Sequence, residues 1–198
     1  DCGRVARAIH GTNAGALAVI FVNNADGFPP LEGNISGATI PFVGIPAGVG
    51  EAFDTGDVVT LDLGDDIANP AFTMFADFTS NGPRQDSYAK PDISAPGVSI
   101  LSAEVGTGTG GMLLSGTSMA APHAAGLAIL ARQAHPTWGP KAVKGAMMSS
   151  ADPSGVGEFD PMRGGAGMVS AEGAVTAQAY FATADGRNSL SFGFRQLT

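Results

Sequence analysis

The sequence predicts an α/β fold, because helical and strand patterns alternate along the chain. Residues 1–24 begin with apolar residues at helical spacing, and the apolar run 16–22 that follows is typical of a buried strand. The longest helical stretch begins near Ser118, after a turn of small residues. A further helix is predicted from Pro140, since proline suits the first turn of a helix. Helices interleaved with short strands place the chain in the α/β class.

Shorter elements are predicted in the first half of the chain, where turn residues bound them. They are a turn at 23–27 and strands at 41–46, 56–62, 72–78 and 98–103. The glycine-rich stretch 106–111 matches G-x-G-x-x-G as text. However, no helix start follows it, and no acidic residue lies about 20 positions further on, as a dinucleotide fingerprint requires. We therefore interpret this stretch as a loop.

The predicted helices of the second half differ in how their apolar residues are distributed. After Ser118 these residues lie on all sides, which predicts a helix that is buried all round. In the helix from Pro140 they lie on one face, at Val143, Ala146 and Met147. The remaining predictions are a loop at 152–165, a helix at 171–181 and a strand at 188–194.

Composition and charge exclude several classes of partner. The 198 residues carry 10 Lys plus Arg against 18 Asp plus Glu, and the net charge is −8. No basic patch exists for nucleic acid or an anionic membrane. The longest apolar runs are far shorter than the ~20 residues of a membrane-spanning helix. The start of the chain has neither an initiator Met nor the pattern of a signal peptide, so we expect it to lie inside a longer protein. Cys2 is the single cysteine, which excludes an internal disulfide.

Ser118 is the residue to which we assign chemistry. The turn 115–117 brings it to the start of a helix, where its own N–H is among the unpaired donors of the first turn. A free amide there suits a nucleophile whose attack creates an oxyanion. The position also suits a serine that only caps the helix, and the local pattern leaves both interpretations open. It is not the G-x-S-x-G elbow of α/β-hydrolases, because residue 120 is alanine.

The residues around Ser118 resemble the nucleophile motif of the subtilases, the subtilisin-like serine proteases. The matching stretch is Gly116-Thr-Ser-Met-Ala-Ala-Pro-His123. Segments 78–83 and 90–97 resemble the part of the family that precedes this motif, and 165–169 resembles the turn that follows it. The resemblance implies a partial subtilisin-like three-layer fold. It also implies that Ser118 is the catalytic nucleophile and that the protein is secreted to the extracellular space.

Residues 1–66 resemble part of a protease-associated domain, which subtilases carry as an insertion in the catalytic domain. The similarity lies in 14–24 and 40–43. The resemblance therefore implies three regions. These are a partial β-rich protease-associated domain at 1–66, the C-terminal part of a subtilase catalytic domain at 67–183, and the start of a β-sandwich domain at 184–198.

A serine nucleophile needs a base and an orienting acid, which in subtilases are a histidine and an aspartate upstream of the serine. His123 lies five residues after Ser118, about 140° round the helix, so we interpret it as a packed, hydrogen-bonded structural residue. His135 lies about 25 Å along the same helix. His10 is interpreted as a partly exposed helix residue. No aspartate matches the acid motif, and Asn81 is in the wrong motif for the oxyanion asparagine.

We therefore predict a serine endopeptidase that cleaves polypeptides through an acyl-enzyme on Ser118. This chain would supply Ser118, its amide and the Thr117 hydroxyl, while the base, acid and asparagine would come from an N-terminal part of the same protein. The chain alone is expected to be nearly inactive. Two alternatives are a non-catalytic protein-binding module from a degenerate protease, and an esterase that uses the same serine.

No cofactor is expected for this chemistry. Calcium sites are common among subtilases, but no acidic cluster here has ligand spacing. Asp62, Asp65 and Asp66 are interpreted as a solvated loop. Residues 34–36 have the form of an N-glycosylation sequon.

Overall fold

Residues 1–72 and 99–114 form one structural unit, and residues 73–98 and 115–198 form a second. The structure is a computed structural model that describes residues 3–24, 27–29, 35–62, 68–69 and 71–191. Helices and strands are both present, as the α/β prediction requires.

The first unit begins with a helix that packs on a parallel pair of strands. Its elements are α1 (Arg4–Asn13), β1 (Val19–Val22), β2 (Phe42–Ile45) and the single-turn helix α2 (Ala47–Gly50). Strands β1 and β2 are parallel, with Val19 opposite Phe42. Helix α1 approaches β1 closely at Gly11, where an added Cβ would lie 2.3 Å from the Val19 side chain. The predicted helix and both strands are confirmed, although β1 is half-buried rather than buried.

An antiparallel hairpin completes the first unit. It consists of β3 (Ile100–Ala103) and β4 (Gly111–Leu114), with Ile100 opposite Leu114. In the connecting loop, Gly106 and Gly108 have φ of 84° and 75°, which only glycine adopts easily. The strand at 98–103 and the loop interpretation of the glycine-rich stretch are therefore confirmed. Strand β4 was not predicted, because its glycine-rich start hides the pattern.

The second unit is helical. Its elements are α3 (Thr117–Ala134), α4 (Pro140–Ser149), α5 (Pro161–Gly164) and α6 (Ala171–Thr176), with a 3₁₀ turn at Pro153–Gly155. Pro140 is in the first turn of α4, as predicted. None of the helices in the described residues is long and apolar enough to cross a membrane.

The core of the second unit lies where α3, α4 and α6 meet. Its buried side chains are Leu127, Ala131, Val143, Met147 and Ala174. Partly buried apolar side chains surround them, namely Ile93, Ala124, Ala128, Trp138 and Val169. Burying a leucine or methionine side chain contributes roughly 1.5–3 kcal/mol, so this cluster holds the three helices together. The predicted apolar face of α4 is confirmed.

The prediction that α3 is buried on all sides is wrong for the chain described here. Only Leu127 and Ala131 are buried in this helix. Ile129 is 68% exposed and Leu130 is 47% exposed. An all-round apolar pattern indicates burial only where enough elements surround the helix, and α4 and α6 both pack on the side that carries Leu127 and Ala131.

Several predicted strands in weakly apolar segments are also wrong. Residues 56–62 are irregular and exposed, because alternation alone forms no strand without a pairing partner. Residues 72–78 form turns, and Thr73 has a left-handed φ of 67°. The helix predicted at 171–181 ends at Thr176. Of the strand predicted at 188–194, residues 188–191 are irregular and 192–194 lie outside the described residues.

Candidate active site

Ser118 is the second residue of α3, and Gly116 is the residue that caps the helix. The Met119 N–H donates to the Gly116 carbonyl at 3.0 Å, which closes the first turn. Glycine has no side chain that can cap, and Ser118 lies beyond the capping position. The interpretation of Ser118 as a simple N-cap is therefore wrong, while the predicted helix start is confirmed.

The hydroxyl and the amide of Ser118 are both available at the head of α3. The residue is exposed, and within the described part of the chain neither group donates a hydrogen bond. Thr117 is exposed beside it. The first amides of a helix carry its positive partial charge, so a negative oxygen is stabilised here. The geometry places the Ser118 hydroxyl oxygen next to a free backbone donor.

Pro122 lies four residues after Ser118, inside α3. Proline has no N–H, so the Ser118 carbonyl lacks the amide that normally bonds to it one turn later. The helix nevertheless continues through this position to Ala134. Ser118 is thus outside the regular hydrogen-bond ladder on its carbonyl side as well as its amide side.

The start of α3 is held by Gly97. The Gly116 N–H donates to the Gly97 carbonyl at 2.7 Å. A Cβ on Gly97 would lie 2.8 Å from the Gly116 carbonyl oxygen and 3.3 Å from the Ala120 Cβ. Only glycine permits this approach, so the backbone at 97 sets where the helix begins.

The segment before Gly97 is bonded along its length to a turn at 164–169. The Ser94 N–H donates to the Gly167 carbonyl at 2.8 Å, and the Val169 N–H donates to the Ser94 carbonyl at 2.9 Å. Gly167 has φ of 115°, and a Cβ there would lie 2.5 Å from the Asp152 carbonyl carbon. This turn therefore requires glycine, and it forms the support on which residues 92–97 lie.

Asp92 connects this segment to α4. Its carboxylate accepts hydrogen bonds from Lys90 and, at 3.0 Å, from Lys144 of α4. Burial opposes the charged carboxylate, but the hydrogen bonds and charges of the two lysines outweigh it, so the pKa of Asp92 is lowered. Asp92 is therefore ionised at neutral pH.

The sequence profile of the subtilase family matches residues 5–193 of this chain. The chain belongs to the subtilase family. The resemblance noted around Ser118 is thereby confirmed, and with it the subtilisin-like α/β class of the fold.

Individual subtilases of bacteria and plants are similar to this chain. Minor extracellular protease Vpr of Bacillus subtilis (strain 168) is 34% identical over 161 residues, which are 74% of this chain and 19% of the relative. Subtilisin-like protease SBT3.7 of Arabidopsis thaliana is 41% identical over 124 residues, or 54% of this chain and 16% of the relative. Subtilisin-like protease SBT3 of Solanum lycopersicum is 47% identical over 89 residues, which are 38% of this chain and 12% of the relative. The subtilase chain thus spans less than a fifth of these relatives.

Neither of the two histidines in the second unit of this subtilase chain contacts Ser118. His123 is exposed, and its Nδ1 donates to the Met119 carbonyl at 2.9 Å. Its predicted hydrogen bond is confirmed, but its predicted packing is wrong, because this side of α3 is uncovered. His135 follows the last residue of α3, and its Nε2 donates to the Val175 carbonyl at 2.9 Å. His10 is an exposed residue of α1, in the first unit.

Two further residues singled out from the sequence, Asn81 and Asp62, are exposed. Among the described residues, no group of three or more His, Cys, Asp or Glu is arranged to hold a metal ion. Cys2, Asn34, Asp65 and Asp66 lie outside the described residues.

Sequence reasoning missed the residues that support the helix start. Gly97 and Asp92 lie within the segment that resembles the family, but nothing in that text indicates which partner each one meets. The spacing of apolar residues in α4 gives no role to Lys144. Their roles depend on contacts across 19 and 52 positions of sequence, from Gly97 to Gly116 and from Asp92 to Lys144.

Proposed function

We propose that this chain is the C-terminal portion of the catalytic domain of a serine endopeptidase, in which Ser118 is the nucleophile. The observation that supports this most directly is the exposed Ser118 hydroxyl beside its own unpaired amide at the head of α3. Membership of the subtilase family supports the same assignment.

The proposed reaction is acyl transfer to Ser118 and then to water. A base removes the hydroxyl proton as Oγ attacks the scissile carbonyl, and the carbonyl oxygen becomes negative. The Ser118 N–H donates to this oxyanion in the field of the helix start. Collapse of the intermediate expels the amine, which takes the proton, and leaves an acyl-enzyme. Water then hydrolyses the ester and restores the hydroxyl. The Thr117 hydroxyl is proposed as a second donor near the oxyanion.

The base, the acid and the asparagine of the oxyanion hole are proposed to come from an N-terminal part of the same protein. The two histidines of the second unit support that division. His123 uses Nδ1 within its own helix, and His135 bonds to Val175 beyond the far end of α3. We accordingly propose that the isolated chain is nearly inactive.

Polypeptides are the proposed substrates, and secretion is the proposed localisation. A relative named as an extracellular protease supports the latter. We also retain, as proposals, a partial protease-associated domain at 1–66, the catalytic portion at 67–183 and the start of a β-sandwich domain at 184–198.

The test is Ser118→Ala in a polypeptide that carries this chain together with the upstream catalytic sequence. We expect kcat on a peptide substrate to fall by several orders of magnitude, because the acyl intermediate is proposed to form on the Ser118 hydroxyl. The matched control is Ser102→Ala, an exposed serine of β3, which should leave kcat unchanged. Near-normal proteolysis by Ser118→Ala would reject the assignment.

Two measurements separate the proposal from its alternatives. A non-catalytic binding module would not react with a fluorophosphonate, whereas the proposed enzyme should be labelled at Ser118 and should lose the label in Ser118→Ala. An esterase would hydrolyse an ester substrate but not the matching peptide. Cleavage of both by wild type, lost together in Ser118→Ala, is the result expected for the endopeptidase.

A further inference from the structure

We propose that Asp92 is a positioning residue for Ser118. The Asp92 side chain joins α4 to segment 92–97, and this segment sets where α3 begins. This inference rests on the proposed function, because its effect is measured as chemistry at Ser118. Asp92 touches neither Ser118 nor the place of the substrate, and it acts through the backbone between them.

The first step of the argument is the ion cluster at Asp92. One carboxylate oxygen, Oδ2, meets the ammonium groups of Lys90 and Lys144. The Asp92 side chain is only 23% exposed, so this carboxylate is less screened by water than those of the exposed pairs Arg84–Asp86 and Arg187–Asp185. Two cations share one anion, and the carboxylate is what keeps the lysines together.

The second step leads from Asp92 to the backbone that supports α3. The Asp92 carbonyl accepts a hydrogen bond from the Ala166 N–H at 2.9 Å. The next residue, Ile93, packs against the core formed by α3, α4 and α6. Ser94 then bonds on both sides to the turn at 164–169. Residues 92–94 are therefore held by an ion cluster, an apolar contact and backbone bonds in succession.

The third step is the contact at the head of the helix. Gly97 lies five residues after Asp92, and its carbonyl accepts from the capping residue Gly116 at 2.7 Å. Ser118 follows two residues later, in the first turn. Because Gly97 and α3 are in contact without space for a Cβ, a shift of segment 92–97 must move the first turn of α3. Catalytic rates are sensitive to such shifts, since about 1 Å of misplacement costs about 100-fold.

Charge loss at Asp92 should produce this shift. In Asp92→Asn the side chain keeps its size, but two ammonium groups would face each other without an anion between them. Their repulsion acts on Lys144 in α4 and on Lys90, which lies two residues before Asp92. Removing one cation as well, in Asp92→Asn with Lys144→Met, removes the repulsion. The double variant should therefore recover part of what the single variant loses.

The experiment measures kcat and KM on a peptide substrate in a polypeptide that carries this chain and the upstream catalytic sequence. Rates are expressed per active site, counted by fluorophosphonate titration, so that a smaller folded fraction does not alter them. The variants are Asp92→Asn, Lys144→Met and the double variant. Asp86→Asn is the matched control, because Asp86 forms an exposed ion pair with Arg84 in the same part of the chain.

We expect Asp92→Asn to lower kcat per titrated site by about tenfold, with KM changed less than about twofold. The double variant should be faster than Asp92→Asn, and Asp86→Asn should match wild type. If Asp92→Asn yields no folded protein, Lys144→Met carries the test, with an expected loss of about threefold.

Two outcomes overturn the inference in distinguishable ways. If wild type reacts at Ser118 but Asp92→Asn, or Lys144→Met in its place, matches the Asp86→Asn control per titrated site, only the positioning role is rejected. If wild type neither hydrolyses peptides nor reacts at Ser118, both the proposed function and the positioning role are rejected.

Discussion

The Gly97 carbonyl accepts a hydrogen bond of 2.7 Å from the Gly116 N–H, two residues before Ser118. This bond joins two segments that are 19 residues apart in sequence. Gly116, which caps α3, has no side chain, and this bond gives its N–H a backbone partner. The position of the proposed nucleophile therefore depends on a glycine that carries no chemistry of its own.

Gly97→Ala is expected to lower kcat by about tenfold to 100-fold with little change in KM. The added methyl would overlap the Gly116 carbonyl oxygen, and the first turn of α3 has to move to admit it. Peptide hydrolysis by a polypeptide that includes the upstream catalytic sequence is the measurement. Gly126→Ala is the control on the same helix, because a Cβ there meets nothing within 4 Å. Equal kcat values for the two variants would contradict the role given to Gly97.

Gly167→Ala is expected to lower the free energy of unfolding by about 2–4 kcal/mol. Its φ of 115° disfavours any side chain, and the added Cβ would lie 2.4 Å from the Pro153 nitrogen. Urea denaturation measures the change. Gly139→Ala, at a position with φ of −76° and open space, should change it by less than about 1 kcal/mol. A loss in Gly167→Ala as small as in this control would show that the turn at 164–169 tolerates a side chain.

The stability that Asp92 contributes should depend on pH. Burial raises its pKa, but the two lysines lower it by more, so the folded-state pKa lies below the ordinary value of about 3.9. The contribution is then fully present above about pH 3.9 and is lost as the pH falls through the folded-state pKa. Wild type should exceed Asp92→Asn by about 1 kcal/mol in free energy of unfolding at pH 7.

Urea titrations of wild type and Asp92→Asn between pH 7 and pH 3 measure this difference. It should narrow as the solution becomes more acidic than the ordinary carboxyl pKa. A gap that stays constant down to the lowest pH, or that widens there, would assign the effect of the substitution to packing rather than to charge.

His135→Ala is expected to destabilise the protein by about 1–2 kcal/mol. The ring loses a hydrogen bond to the Val175 carbonyl and a stacked contact with Trp138 at 3.9 Å between centroids. Thermal or urea unfolding measures the loss. His123→Ala is the matched control, since that exposed ring bonds only within its own helix, and we expect less than about 0.5 kcal/mol. Equal losses in both variants would show that the contacts of His135 with Val175 and Trp138 do not stabilise the protein.

The sequence predicted the elements whose patterns are local and strong. Helix α4 begins at its proline and buries Val143, Ala146 and Met147, as its spacing indicated. The start of α3 followed from a turn of small residues before an apolar run. The nucleophile assignment came from a long motif, and it remains a prediction until Ser118 is tested.

The sequence-based predictions that were wrong concern features that depend on contacts between distant residues. The strand predicted at 56–62 has the right alternation, but Val58 is 95% exposed, and no strand among the described residues pairs with the segment. The uncovered side of α3 depends on how many elements surround the helix, which an apolar run does not specify. Similarly, the pairing of Asp92 with Lys144 follows from the packing of α4, and no spacing rule indicates it.

Trp138 is the sole tryptophan of the chain, and it lies between the ring of His135 and the edge of Tyr180, with centroids at 3.9 and 5.5 Å. Its fluorescence is therefore a built-in optical probe of the far end of α3 and of the packing around α4. Emission recorded during the urea titrations above would follow the opening of the second unit alone. Both tyrosines, Tyr88 and Tyr180, also belong to the second unit. Unfolding of the first unit therefore has to be followed by a method that does not depend on tyrosine or tryptophan, such as backbone circular dichroism.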